Sequence, residues 1–161
     1  MRVRPIEEAD RLVVGRLIVD LWGASTVVAH GQTFYPISLP GLLAERGGKV
    51  IGLLTYTRTG QTLEIVTLAA LNRGRGVGTA LVEAVARTAR RVGCERLLIT
   101  TTNDNLDALR FCQRRGFRLC GLRPDAVSRA RQSNPEIRLV GEYGITVRDE
   151  LDLERPVLAR R

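Results

Sequence analysis

Between Gly41 and Val92 the chain reads GLLAERGGKVIGLLTYTRTGQTLEIVTLAALNRGRGVGTALVEAVARTARRV, and this order of glycines and apolar runs admits few folds. Gly47-Gly48 suits a two-residue hairpin turn and Thr59-Gly60 a second, so strands near 41–46, 49–58 and 61–70 are expected to pair antiparallel as a meander. The third strand carries apolar residues on both faces, Leu63 and Ile65 on one and Val66 and Leu68 on the other, as a central strand does. Alternation puts Glu64 on the face of Val66 and Leu68, where a carboxylate needs a reason. Glycines 74, 76 and 78 then lead into Val77, Leu81, Val85, Ala89 and Val92, one face of a helix that Gly93 ends.

The flanking segments complete an α/β pattern. Val3 suits a short first strand, and Ala9, Leu12, Val13, Leu17 and Leu21 recur at helical spacing opposite Arg11, Arg16 and Asp20. From Trp22 to Pro40 the periodicity dissolves into glycine, serine and proline, which reads as a long loop with one short strand around Val27 and Val28. Trp22 itself is expected in the core. After the central helix, RLLITTTN is a strand, and NDN (103–105) supplies helix N-cap residues. Leu106, Leu109 and Cys112 line a helix ended by Gly116, and FRLCGL is another strand. A short arginine-rich helix is expected over 125–133, and GITVRDELDLE alternates as a last strand. No repeat, linker or low-complexity tract interrupts 161 residues, so one domain over 1–161 is expected.

The turn at 73–78 carries the clearest chemistry. Glycine lets backbone approach a ligand without Cβ interference, and the first amides of a helix have no intrahelical partner. Those amides and the positive end of the helix dipole form a site suited to pyrophosphate, to which Arg73 and Arg75 add charge. Two other phosphate motifs fail: no lysine follows the glycines as a P-loop requires, and Gly74-Arg75-Gly76-Val77-Gly78 has the wrong spacing for a dinucleotide fingerprint. The net charge of +8, nearly all arginine with Lys49 the only lysine, agrees with an anionic ligand but is also what a GC-rich genome produces.

These residues resemble the GNAT superfamily of acetyl-CoA-dependent N-acyltransferases. Its phosphate signature is Gln or Arg, two residues, Gly, one residue, then Gly or Ala, and Arg73, Gly76 and Gly78 match it. Asn105, Ala108, Phe111, Gly116 and Phe117 keep the family's second pattern. Over roughly residues 1–122 the resemblance implies a single α/β domain. Its mixed, mostly antiparallel central sheet would splay apart between the fourth and fifth strands and be flanked by helices. Acetyl-CoA is implied as acyl donor. Its pyrophosphate would lie on the backbone of Arg73, Gly74, Arg75, Gly76, Val77, Gly78 and Thr79. Its pantetheine would lie along Val66, Thr67 and Leu68 and within reach of Asn105, for which a helix N-cap is the other reading. At the position where many relatives place a tyrosine that protonates the departing thiolate, this chain has Cys112, either a thiol acid or a buried small hydrophobe.

Acetyl transfer to an amine also needs a base, and Glu64, in a segment resembling the strand glutamate of the histone-acetyltransferase branch, is the candidate; a structural ion pair is the other reading. Asp149, which strict alternation places with Ile145, Val147, Leu151 and Leu153, is a candidate for orienting a cationic acceptor, with Glu150 pointing the other way. His30 and Tyr143 are acceptor candidates from the irregular segments, and 123–143 is the stretch in which specificity is expected. The expected function is N-acetylation of a small-molecule or peptide amine by direct attack. The alternative is a non-catalytic acetyl-CoA sensor or interaction module. Nucleic acid ranks last as a partner because aromatic residues are only 4% of the chain. A homodimer is left open. Three cysteines without a C-x-x-C pair and one histidine suggest neither disulfides nor a metal. The N-terminus does not read as a signal peptide and no apolar run is long enough to span a membrane, so a cytoplasmic protein is expected.

Overall fold

The computed structural model describes residues 1–158, and they form two compact units. The first comprises Met1–Val27, Phe34–Leu97 and the residues from Pro156; the second comprises Val28–Thr33 and Leu98–Arg155. Nine strands and four α-helices are described, seven of the strands belonging to one sheet and two to a small hairpin.

In the first unit, strands β1 (Arg2–Pro5), β4 (Gly41–Arg46), β5 (Lys49–Thr59) and β6 (Thr62–Ala70) lie in the order β1-β4-β5-β6, each pair antiparallel. The meander expected from sequence is present. Gly47 and Gly48 both take the left-handed backbone (φ 57° and 74°) that a tight hairpin demands, while the second turn lies one residue later, at Gly60-Gln61. Helix α1 (Arg11–Trp22) packs Val14 and Ile18 against Leu43 and Leu53, with Ile6, Leu17 and Val50 around them. This corrects the expected apolar stripe. Leu12 is 77% exposed, Val13 43% and Leu21 45%, and Trp22, expected in the core, is 36% exposed. The helix is apolar nearly all round, so its own periodicity cannot choose the buried face; the sheet does.

Helix α2 (Val77–Arg91) buries Val77, Leu81, Val85 and Ala89 as expected, with Val92 left 38% exposed at the C-cap before Gly93. Its start is set by a close approach to the sheet. A Cβ on Gly52 of β5 would lie 2.5 Å from Val77 Cγ1 and 3.0 Å from Leu81 Cδ1, so the absent side chain fixes how near α2 lies to the sheet.

The long early loop is more ordered than expected. Strands β2 (Val27–Ala29) and β3 (Gln32–Phe34) form a hairpin turning at His30-Gly31, followed by a short 3-10 turn at Pro36–Ser38 that Arg11 holds from α1, donating to the Ile37 and Leu39 carbonyls at 2.9 and 2.7 Å.

In the second unit the strand order is β7 (Arg96–Thr102), β9 (Glu150–Pro156), β8 (Arg118–Arg123). Helix α3 (Leu106–Arg114) follows β7, and α4 (Ala126–Ser133) stands where the short arginine-rich helix was expected. The last strand begins six residues later than its alternation suggests, because side chains take the backbone hydrogen bonds of the preceding segment. Asn103 Oδ1 accepts from the N–H groups of Arg148 and Asp149 at 2.9 and 3.0 Å, and Asn103 Nδ2 donates to the Thr146 carbonyl at 2.9 Å. Asp149 therefore stands before the strand, not within its alternation. Among the described residues no helix is long and apolar enough to cross a membrane.

Candidate active site

The turn between β6 and α2 has the geometry its glycines suggest. Gly74 and Gly76 are left-handed (φ 79° and 75°), and residues 71–76 are exposed. The first backbone bond of α2 runs from the Ala80 N–H to the Gly76 carbonyl at 3.0 Å, so the amides of Val77, Gly78 and Thr79 lie ahead of the helix's own ladder. Arg73 and Arg75 sit on the exposed turn. Amides ahead of the first helical bond, a helix dipole and two guanidinium groups are a donor set that matches a pyrophosphate, and nothing lies within 4 Å of a Cβ position at Gly74 or Gly76.

Strand β6 carries a bulge where the pantetheine segment was expected. Thr67 pairs with Thr55 and Ile65 with Tyr56, leaving Val66 without a partner in β5. The bulge reverses the alternation and corrects the expected setting of Glu64. Cross-strand partners share a face, so Glu64, opposite Thr57, lies on the face of Thr55 and Thr67, whereas Leu68, opposite Leu54, lies on the other. Glu64 is buried. Beyond the bulge, the hydroxyls of Thr55 and Thr67 share a hydrogen bond of 2.6 Å, and Thr67 Oγ1 also accepts the Thr55 N–H at 3.2 Å, so the Thr67 side chain is engaged inside the sheet.

In the second unit, Asn105 caps α3, its Oδ1 accepting the Ala108 N–H at 3.2 Å. Seven residues on, Cys112 is 3% exposed, and burial pushes its thiol up to about 11. Tyr143, on the 3-10 turn Glu142–Gly144, is 66% exposed and donates its phenol to Asp107 Oδ1 at 2.6 Å; this bond raises its pKa. Asp149 accepts the Asp125 N–H at 2.8 Å, an attachment of the segment leading into α4. His30 stands at the hairpin tip, its N–H donating to both oxygens of Glu150 at 3.2 and 3.1 Å.

Sequence reasoning missed two groups here. Asp104, 2% exposed, accepts the Thr102 hydroxyl at 2.5 Å and the Glu142 N–H at 2.9 Å and pairs with Arg138 at 3.6 Å, anchoring the turn that carries Tyr143. On β9, Glu150 and Asp152 face Arg123 of β8. Arg123 donates to Glu150 at 3.2 Å and to both Asp152 oxygens at 2.6 and 2.7 Å, and Thr100 adds a hydroxyl to Asp152 at 2.7 Å. The Arg123 hydrogen bond is the main reason the Asp152 carboxyl is held below its ordinary value. The available signal was the alternation Glu150, Asp152, Glu154, which meets arginines in register, Arg123 opposite Glu150 and Arg118 opposite Glu154. Among the described residues no group of three or more histidine, cysteine or carboxylate side chains is arranged to hold a metal ion.

The model of the Acetyltransferase (GNAT) family matches residues 19–117, from within α1 to the residue that precedes β8. The chain belongs to the GNAT acetyltransferase family. The match contains the glycine turn, the β6 bulge and α3. Among curated relatives, the uncharacterized protein YdhI of Bacillus subtilis (strain 168) is 35% identical over 152 residues, covering 94% of this chain and 95% of its own length. A streptothricin acetyltransferase of Streptomyces lavendulae is 32% identical over 102 residues, covering 62% of this chain and 51% of its own length. A Bacillus subtilis acetyltransferase solved in complex with CoA superimposes with a TM-score of 0.73 at 24% identity, covering 98% and 99% of the two chains, which identifies the GNAT fold.

Proposed function

We propose that the chain transfers the acetyl group of acetyl-CoA to a primary amine by direct attack. The observation that carries this reading is the left-handed turn at Gly74 and Gly76, which opens α2 with three amides ahead of its first helical bond and two arginines beside them. Bound there, acetyl-CoA supplies an acetyl group activated as a thioester. The amides of Val77, Gly78 and Thr79 would hold its pyrophosphate, and the backbone from Val66 to Leu68, where the bulge interrupts pairing to β5, would lie along its pantetheine. The attacking nitrogen must lose a proton, and Glu64, directly or through a water, takes it. Cys112 is read as a core side chain because it is only 3% exposed, so the departing CoA thiolate would take its proton from solvent. Cys94, Cys112 and Cys120 are free thiols, as suits a reducing compartment, and we place the protein in the cytoplasm.

The acceptor is read as a small-molecule or peptide amine. The streptothricin acetyltransferase similarity makes streptothricin the first amine to test, with an amino sugar and a peptide with a free N-terminus beside it. A thiol-release assay with acetyl-CoA and each amine should show turnover, and Glu64→Gln should lower kcat by about 10²-fold with acetyl-CoA affinity retained. Unchanged turnover in that variant would remove Glu64 as the base. The burial of Cys112 at the family's tyrosine position favours one second reading, an acetyl-CoA sensor. It requires tight acetyl-CoA binding and no amine acetylated above background.

A further inference from the structure

Along β6, Leu63, Ile65, Leu68 and Ala70 lie opposite Arg58, Tyr56, Leu54 and Gly52, so odd- and even-numbered residues of one strand share a face. The alternation reverses once, at Val66. Apolar side chains do not place that reversal, because Leu63, Ile65, Val66 and Leu68 suit either alternation. Hydropathy would accept Val66 or Thr67 as the extra residue.

A polar pair decides between them. Thr55 is fully buried and Thr67 is 2% exposed, so each hydroxyl needs a partner inside the protein. Thr67 Oγ1 accepts the Thr55 N–H at 3.2 Å and shares a hydrogen bond of 2.6 Å with Thr55 Oγ1. Both bonds require Thr67 to stand opposite Thr55. Were Thr67 the extra residue, Val66 would face Thr55 and the two buried hydroxyls would lose each other, an arrangement that is strongly penalised. The pair therefore pins the bulge at Val66, which has no partner in β5 and is half-buried between the buried Ile65 and Thr67. Val66 is thus the point on this stretch that a ligand can reach.

We infer that Thr67, locked to Thr55, is a positioning residue for acetyl-CoA: its hydroxyl fixes Val66 as the unpaired residue of β6 and so holds the backbone along which the pantetheine arm would lie. This rests on the acetyl-CoA reading above. The glycine turn lies beyond the end of β6, so the two parts of the cofactor should respond differently when the lock is removed.

Calorimetric titration with two probes separates them: acetyl-CoA, and phosphoadenosine diphosphate, which keeps the pyrophosphate of CoA and lacks its arm. Thr67→Val keeps the side-chain shape and removes the hydroxyl; it should raise the Kd of acetyl-CoA about tenfold and that of phosphoadenosine diphosphate less than about twofold. Thr67→Ser restores the oxygen and should return acetyl-CoA to within about threefold of wild type. Thr55→Val removes the hydroxyl pair but leaves the Thr55 N–H its bond to Thr67 Oγ1, so its acetyl-CoA affinity should fall between the two. Amide exchange at Thr55 should quicken in Thr67→Val and stay near the wild-type rate in Thr67→Ser.

Unchanged acetyl-CoA affinity in a folded Thr67→Val, equal weakening of both probes, or a serine variant as poor as the valine one would overturn the inference while leaving the cofactor site standing. A folded wild type that binds neither probe would overturn the acetyl-CoA reading itself, and this inference with it. If Thr67→Val does not fold, Thr55→Val carries the test: weakening confined to acetyl-CoA supports the lock, and no such difference between the probes refutes it.

Discussion

The two units are held together by different chemistry. In the first, Val14, Ile18, Leu43, Leu53, Leu54, Leu63, Leu81 and Val85 are at most 1% exposed, and packing of β4, β5 and β6 against helices carries the structure. In the second, long polar side chains bind irregular backbone. Asn103 bonds to residues 146, 148 and 149, Asp104 to 142, and Arg131 donates to the carbonyls of Ile137, Arg138 and Val147 at 3.0, 2.9 and 2.6 Å. Apolar packing tolerates approximate shape, but a directional hydrogen bond fixes a loop in one conformation. The first unit is accordingly built as a frame, the second as a set of loops held at fixed positions.

That contrast can be broken by substitution. Leu53→Ala, at 1% exposure in the first unit's core, should cost about 3 kcal/mol in urea unfolding; a loss under about 1 kcal/mol would refute packing as the main support. Gly141→Ala probes the second unit, because a Cβ there would collide with the Asp104 carboxylate and lie 2.6 Å from Val147 Cγ2. About 2 kcal/mol should be lost. Asn103→Ala removes three hydrogen bonds to partly exposed backbone and should cost about 1.5 kcal/mol, with amide exchange accelerated at Arg148 and Asp149 and unchanged in β5.

The smallest effect concerns the one ionic clamp that stands out in the first unit. Arg4 pairs with Asp10 at 2.7 Å and with Glu45 at 2.7 Å, and the Arg4 hydrogen bond is the main reason the Asp10 carboxyl falls from 3.8 to about 2. A depressed carboxyl stabilises the folded chain above the unfolded value, near pH 4, and this contribution is lost as pH falls through about 2. Asp10→Asn should therefore cost on the order of 1 kcal/mol at pH 7 after allowance for solvent screening, and nothing relative to wild type below pH 2. A pH-independent difference in urea midpoint would assign the loss to packing instead.

Legibility in the sequence followed the same division. The meander, the glycine turn, α2 and α4 could be read because apolar period and glycine position are local signals. The buried face of α1 could not, since a helix apolar on several sides leaves the choice to the sheet. The face of Glu64 was misread because a bulge at Val66 inserts one residue into an alternating strand, and nothing in TLEIVTLAA announces it. The late start of β9 and the roles of Asp104 and Glu150 depend on partners tens of residues away, His30 and Glu150 being 120 apart, and no local pattern encodes such a pairing.

Whether the turn at Gly74–Gly78, exposed as far as Gly76, holds acetyl-CoA is decided most directly by calorimetric titration of wild type and Gly76→Glu, with circular dichroism as the check on folding. Gly76 is left-handed, open to solvent and the N-cap of α2, so a glutamate adds bulk and negative charge where a pyrophosphate would lie. Micromolar binding by wild type that vanishes in a folded Gly76→Glu would support the site as described. Equal binding by both proteins, or no binding by a folded wild type, would contradict it.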